Sequence, residues 1–179
     1  EGTTAKVCDG MGGFTSETPC PGACVAGQGC TVCEPNTKVC DGENAIACNA
    51  EGSAQTITLC DGVQGVLCED GQCVGACSPD ELGTSYIGCD YYPTVTANIV
   101  EDVYHFAVAV ANTSDLAANL EIDKNGMLVL SDSVAPNSVK VITLPWDYEL
   151  KANQFVEPAS LMAPGGAYRL RADQPVTVY

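Results

Sequence analysis

Cysteine is missing from residues 90–179 of this chain, although the first 89 residues hold all twelve. Histidine and tryptophan occur once each, and seven Lys and Arg stand against 23 Asp and Glu, a formal net charge of −16. The scarcity of cations excludes partners that present phosphate, because such a chain repels nucleic acid and acidic lipid. No apolar run approaches the ~20 residues of a membrane-spanning helix. The lone histidine, His105, lies between Tyr104 and Phe106 with no nucleophile-elbow pattern in the chain. A hydrolase triad is therefore unsupported, no catalytic residue is assigned, and His105 reads as structural. Aromatic residues are also scarce in residues 1–77, where Phe14 stands alone. The chain opens "EGTTAKVC", with no initiator Met and no signal-peptide pattern, the expected look of a mature or trimmed start.

What the first half does have is small residues, glycine and cysteine. A segment so poor in large apolar side chains cannot offset its ordering entropy by burial. Disulfides must restrict the unfolded chain instead, typically by a few kcal/mol each. The even number lets every cysteine pair: Cys8, Cys20, Cys24, Cys30, Cys33, Cys40, Cys48, Cys60, Cys68, Cys73, Cys77 and Cys89. Such density points to an oxidising compartment, hence a secreted or surface-displayed protein. A metal reading fails on spacing. "CTVC" (30–33) is the one CxxC, "CPGAC" and "CVGAC" are one residue too wide, and zinc knuckles or a thioredoxin-like setting are lacking. "VCDG" (7–10, 39–42) and "LCDG" (59–62) recur, and Cys20, Cys40 and Cys60 keep a twenty-residue interval that Cys48 and Cys68 share. Residues 1–77 therefore read as stacked disulfide-stapled units with Asp-Gly turns. The pairing scheme is not legible. Cys89, the last cysteine, must pair backwards; Cys77 is its nearest partner in sequence, and the bridge is expected to join the two halves across a pinned junction at 78–89.

Residues 90–179 follow another pattern. "DVYHFAVAVANTS" (102–114) sets Tyr104, Phe106, Val108 and Val110 on one face and alanines on the other, a strand buried on both sides or nearly so. "ANLEI" and "MLVLSDSV" flank "DKNG" (123–126), the Asn-Gly signature of a hairpin. "SVKVITLPW" (138–146), "GGAYRLRAD" (165–173) and "PVTVY" (175–179) read as further strands, and "PWDYELKANQF" (145–155) as one helical turn at most. The fold class is mainly β: a small disulfide-rich repeat module, then an antiparallel β-sandwich-like domain over 90–179.

At "YIGCDYYPTVTAN" (86–98), "HFAVAVANTSDLAANLEI" (105–122), "VITLPW" (141–146) and "GGAYRLRADQPVTVY" (165–179) the chain resembles the N-terminal region of IgG Fc-binding proteins. The form it is most similar to is that of bacterial surface proteins carrying the region behind a Cys-rich leader. The resemblance covers residues 84–179, the leader matching in style only. It implies an extracellular, β-rich, non-enzymatic protein, and it assigns no residue as an Fc contact. In the family the segment matching "YRLRADQPVTVY" is followed by more of the same domain. The expectation here is a fragment, or a last strand left unpaired for another subunit to complete.

Other candidate sites have plain alternatives. Asn112-Thr113-Ser114 is the one N-glycosylation sequon, making Asn112 a candidate acceptor. "DKNG" and "CEDGQC" (68–73) are the places where calcium would gather carboxylates; turn chemistry explains both. Trp146 and the Tyr91–Tyr92 pair could form an aromatic patch for sugar or protein, or pack in the core. Arg169 and Arg171 share an outward strand face that is either solvated or meets a neighbouring subunit's acids. The expected function is a secreted structural element of a fibre or surface coat that self-associates. The alternative is an adhesion module for a glycoprotein or glycan.

Overall fold

A computed structural model describes residues 4–8, 11, 13–152 and 160–179. Asp9 and Gly10 of the first "VCDG", and the end of "PWDYELKANQF", lie outside the described residues, as does the side chain of Cys8. The chain is mainly β and divides into two compact units, Glu1–Cys60 with Leu67–Val74, and Asp61–Val66 with Gly75–Tyr179. Neither unit is one continuous segment, unlike the expected division at residue 77.

The first unit is a series of small antiparallel sheets. β1 (Thr4–Cys8) pairs with β2 (Phe14–Pro19), and β3 (Ala23–Val25) with β4 (Gly29–Thr31). β5 (Lys38–Asp41), β6 (Asn44–Cys48) and β7 (Gln55–Leu59) form a three-stranded sheet; β8 (Leu67–Glu69) and β9 (Gln72–Val74) form a last hairpin. Bridges Cys20–Cys30, Cys33–Cys48, Cys40–Cys68 and Cys60–Cys73 staple these pieces. Cys40–Cys68 and Cys60–Cys73 both hold the β8–β9 hairpin to the three-stranded sheet. Gly71 at its tip has φ +70°, and a Cβ there would stand 2.4 Å from the Val39 nitrogen, so the bridge geometry requires glycine. The interior is made of Cys20, Thr31, Ala45, Cys48 and Cys60, whereas Val39, Ile57, Leu59 and Leu67 are all exposed. Sulfur takes the place that a hydrophobic core fills elsewhere.

The twenty-residue repeat is local only. "CDGENAIAC" (40–48) turns at Gly42 (φ +58°) into the β5–β6 hairpin. "CDGVQGVLC" (60–68) instead forms a 3-10 turn, Gly62–Gln64, capped by Asp61 accepting from the Val63 N–H and closed by Gly65 at φ +64°. Equivalent cysteines consequently take inequivalent partners: Cys40 spans to Cys68, and Cys60 to Cys73.

The second unit holds a six-stranded antiparallel sheet. β11 (Phe106–Asn112), β12 (Ala118–Lys124), β13 (Met127–Val134), β14 (Ser138–Leu144) and β15 (Tyr168–Val178) run in the order β13-β12-β15-β11-β14, and β10 (Gly88–Tyr91) also pairs with β15. Asn125 and Gly126, at φ 52° and 76°, make the β12–β13 turn, the left-handed pair that an Asn-Gly hairpin demands. β15 shapes the sheet. On one side it keeps β10, since Leu170 and Val176 face Tyr91 and Gly88. On the other it pairs with β12 through Tyr168–Ala172, then with β11 through Val176–Val178. Between these partners lie Asp173, Gln174 and Pro175, where β10 also skips register. A proline lacks the N–H that a continuous ladder needs, and the strand turns a corner there. Two faces thus close over Val108, Val110, Leu120, Ile122, Val134, Ile142, Leu144, Tyr168, Leu170 and Val176, which make the core. Each fully buried Leu, Ile or Val contributes roughly 1.5–3 kcal/mol.

Two expectations are corrected. β15 is central, paired on both sides, with Ala109 and Tyr179 exchanging backbone hydrogen bonds at 2.8 and 2.9 Å, so the last strand is not an unpaired edge. Cys89 does pair with Cys77, but both belong to the second unit. The bridge is buried beside β15, where the Cys77 sulfur lies 3.4 Å from the Ala172 carbonyl oxygen; it closes the 78–88 loop within the β unit and does not join the halves.

Candidate functional site

Three features of the second unit can meet other molecules or explain why they do not. The first is the outward face of β15. Arg169 grips Asp90 of β10 with two hydrogen bonds, Nε to Oδ1 at 3.0 Å and Nη2 to Oδ2 at 2.8 Å. Its guanidinium is held charged to well above the usual arginine range by that carboxylate. Arg171 lies among Asp61 (3.4 Å), Asp123 (3.4 Å) and Glu121 (3.5 Å). Strand pairing dictates most of this, because β10 and β12 flank β15 and put their acids beside its arginines. Asp61 comes from the 3-10 turn, whose Gln64 also donates to the Cys89 carbonyl at 3.1 Å. The two arginines therefore already hold acidic partners within their own unit, Arg171 largely buried and Arg169 still partly exposed. Lys124–Asp147, Lys140–Asp132 and Lys151–Asp102 complete the pattern. Every Lys and Arg of the second unit is paired with an internal carboxylate, so an anionic ligand finds no unengaged cation among its described residues.

The second feature is a pocket of about 590 Å³ beside Trp146, Tyr168, Met127, Leu128, Asn125 and Glu149. Trp146 is fixed: its Nε1 donates to the Tyr104 carbonyl at 2.9 Å, its ring tilts against Phe106 at 5.8 Å, and the Lys151 ammonium sits 5.1 Å over it. Tyr168 is buried, donates to the Pro145 carbonyl at 2.7 Å, and has its phenol pushed above the ordinary tyrosine range by that burial. Trp146 thus rims the pocket without offering an open ring face. Tyr91 and Tyr92 line a second, smaller pocket of about 260 Å³ together with Pro93, Phe106 and Tyr179. The Tyr91 hydroxyl donates its one proton to the Val176 carbonyl, lies 3.0 Å from that of Tyr86 and is pushed up by burial, whereas Tyr92 is exposed.

The third feature is the sheet margins. β13 and β14 end the strand order with no further partner strand among the described residues, and they expose Met127, Leu128 and Val129, and Val139 and Val141. The first unit has a corresponding margin in β7, all five residues of which are exposed. The alternation in "SVKVITL" places Ile142 and Leu144 in the core and leaves Val139 and Val141 on the opposite parity outside; apolar residues on both parities are the signal that sequence reasoning passed over.

Asn112 needs a correction. It is 1% exposed, its Nδ2 donates to the carbonyls of Leu116, Val134 and Ala135 at 2.8, 3.1 and 3.2 Å, and its Oδ1 accepts from Ser114. A glycan on that nitrogen would take one of its two donor protons and needs room that the buried amide lacks, so the folded chain has no place for one. Ten of the twelve cysteines form the five bridges; Cys24 has no bridge among the described side chains. His105 precedes β11 and is exposed. "DKNG" is a hairpin turn, and the described residues hold no group of three or more His, Cys, Asp or Glu able to hold a metal.

Five disulfides are those of a secreted or extracellular protein. No described helix is long and apolar enough to cross a membrane. The chain matches no protein-family model, no curated protein and no solved structure.

Proposed function

We propose that this chain is a secreted, non-catalytic structural subunit of an extracellular assembly, a fibre or a surface coat. The observation that carries the reading is the set of exposed, apolar sheet margins in a disulfide-stapled chain: Ile57 and Leu59 on β7, Met127 to Val129 on β13, Val139 and Val141 on β14. Such margins are templates for another strand, and soluble monomers normally blunt them with charge, proline or a covering loop. Internal pairing of the second unit's cations is consistent with a structural role, because it leaves strand margins and apolar side chains as the means of contact. The resemblance to surface proteins of the IgG Fc-binding kind supports an extracellular assembly and supplies no antibody contact. Negative-stain electron microscopy of purified native material, with light scattering on the same sample, tests the reading. Regular oligomers or filaments are expected; dispersed monomers at every concentration would overturn it.

The pocket beside Trp146 favours a second reading, an adhesion module binding a glycan or glycoprotein, because it joins apolar walls to Asn125 and Glu149. In that case a stable monomer binds immobilised glycoprotein and loses binding on Leu128→Asp.

A further inference from the structure

We infer that the edge of β7 is a self-pairing site, where a second copy of this chain adds its own β7 across a two-fold axis through Ile57. The inference rests on the reading that the chain self-associates, and it names the contact. The Cys60 N–H donates to the Glu43 carbonyl at 2.7 Å and the Asn49 N–H to the Ala54 carbonyl at 3.0 Å. These fix the phase of the β6–β7 ladder, in which Ala45 faces Thr58 and Ala47 faces Thr56. In an antiparallel pair the narrow sites alternate, so Thr56 and Thr58 direct their backbone groups at β6. Gln55, Ile57 and Leu59 must then direct their N–H and C=O groups the other way, to the side where β7 has no neighbouring strand among the described residues.

The side chains select the partner. Antiparallel pairing centred on Ile57 sets Ile57 against Ile57, Thr56 against Thr58, and Gln55 against Leu59. Three narrow pairs result, each exchanging two hydrogen bonds, and they use the outward-facing groups just identified. β-branched and Thr–Thr cross-strand pairs are among the favourable ones. Charge separates this edge from the others. In the two sheets of three or more strands, β5 carries Lys38 and Asp41, β13 carries Asp132, β14 carries Lys140 and β10 carries Asp90, whereas β7 has no ionisable residue. A copy with a net charge of −16 meets another with least repulsion where neither presents a carboxylate. Because the contact is apolar and the copies repel at long range, added salt should tighten it. The contact is small beside the ~1,200 Å² at which stable interfaces begin, so it belongs to a concentration-dependent assembly.

Sedimentation velocity of the full oxidised chain, at low and high salt, tests this with Ile57→Lys and Ile57→Pro. Lysine sets like charges opposite one another, and proline removes the outward N–H while sparing the Thr56 and Thr58 bonds to β6. Both variants should weaken self-association about tenfold or more, with the five bridges intact by peptide mapping and wild-type association rising with salt. Self-association that survives both substitutions would overturn the β7 site and leave the assembly reading standing. Association that weakens with salt would also overturn it, since the contact would then rest on ion pairs. A wild-type chain that stays monomeric throughout would overturn both.

Discussion

Asn112 ends β11 in the core, where its amide is one of few buried polar groups and uses nearly all of its hydrogen-bonding capacity. Three carbonyls from two connecting segments converge on one NH₂, while Ser114 donates to the oxygen from both its backbone and its hydroxyl. Removing such a hub leaves buried carbonyls without donors, which costs more than the hydrogen bonds contributed. Asn112→Ala should lower the unfolding free energy by about 2–4 kcal/mol, read from urea midpoints at unchanged slope. Expression in a glycosylating host should give wild-type chain with no glycan at Asn112 by mass. The sequon was legible in the sequence and its burial was not, because Asn-x-Ser is also the pattern by which an asparagine caps a turn, its Oδ1 accepting from the residue two positions on. Arg171 illustrates the same limit. Its strand parity was readable, but Asp61 lies 110 residues away, on a turn whose sequence matches a hairpin turn elsewhere in the chain.

At the scale of elements, β12, β13 and β14 were legible as strand runs with an Asn-Gly turn between the first two. β15 was read as two strands, since Pro175 interrupts the pattern; in the fold the interruption is the corner at which one strand changes partners. The core-facing half of β11 was legible too, but its alanine face is only partly covered, Ala107 being exposed and Ala109 and Ala111 half-buried. Closure at the far end depends on Lys124 at the end of β12. Its ammonium meets Asp147 at 2.5 Å and lies 5.1 Å from the Tyr168 ring, which ties the segment after β14 to the hairpin. The hydrogen bond from Lys124 holds the Asp147 carboxyl below the usual carboxylate range. A depressed folded-state value stabilises the folded chain at pH above the unfolded value of about 3.9, and this stabilisation fades as pH falls through the folded value. Asp147→Asn should therefore cost about 1–3 kcal/mol near neutral pH, with the difference from wild type shrinking below about pH 4. Thermal unfolding followed across that range reads the convergence; a constant difference would mean that the pair contributes through packing alone.

The whole molecule joins two solutions to one problem. The second unit buries large aliphatic side chains around Tyr168 and Leu170 and has one bridge, Cys77–Cys89, with both cysteines at most 5% exposed. Among its described residues the first unit buries nothing larger than threonine and has four bridges among strands of three to six residues. In the first case the folded state is favoured by burial, and in the second chiefly by restriction of the unfolded chain, about 2–4 kcal/mol per bridge. A reductant should separate them. The first unit has no core to hold its hairpins once the sulfurs part, while the sheet of β10 to β15 keeps its aliphatic interior and shields its own bridge. Hydrogen exchange by mass spectrometry under graded reductant should show amides of residues 38–59 losing protection first. Amides of β11, β12 and β15 should stay protected until denaturant is added. Simultaneous loss in both segments would mean that the bridges support the β sheet as well, and the sharp contrast in composition at Cys89 would then not be a boundary in stability.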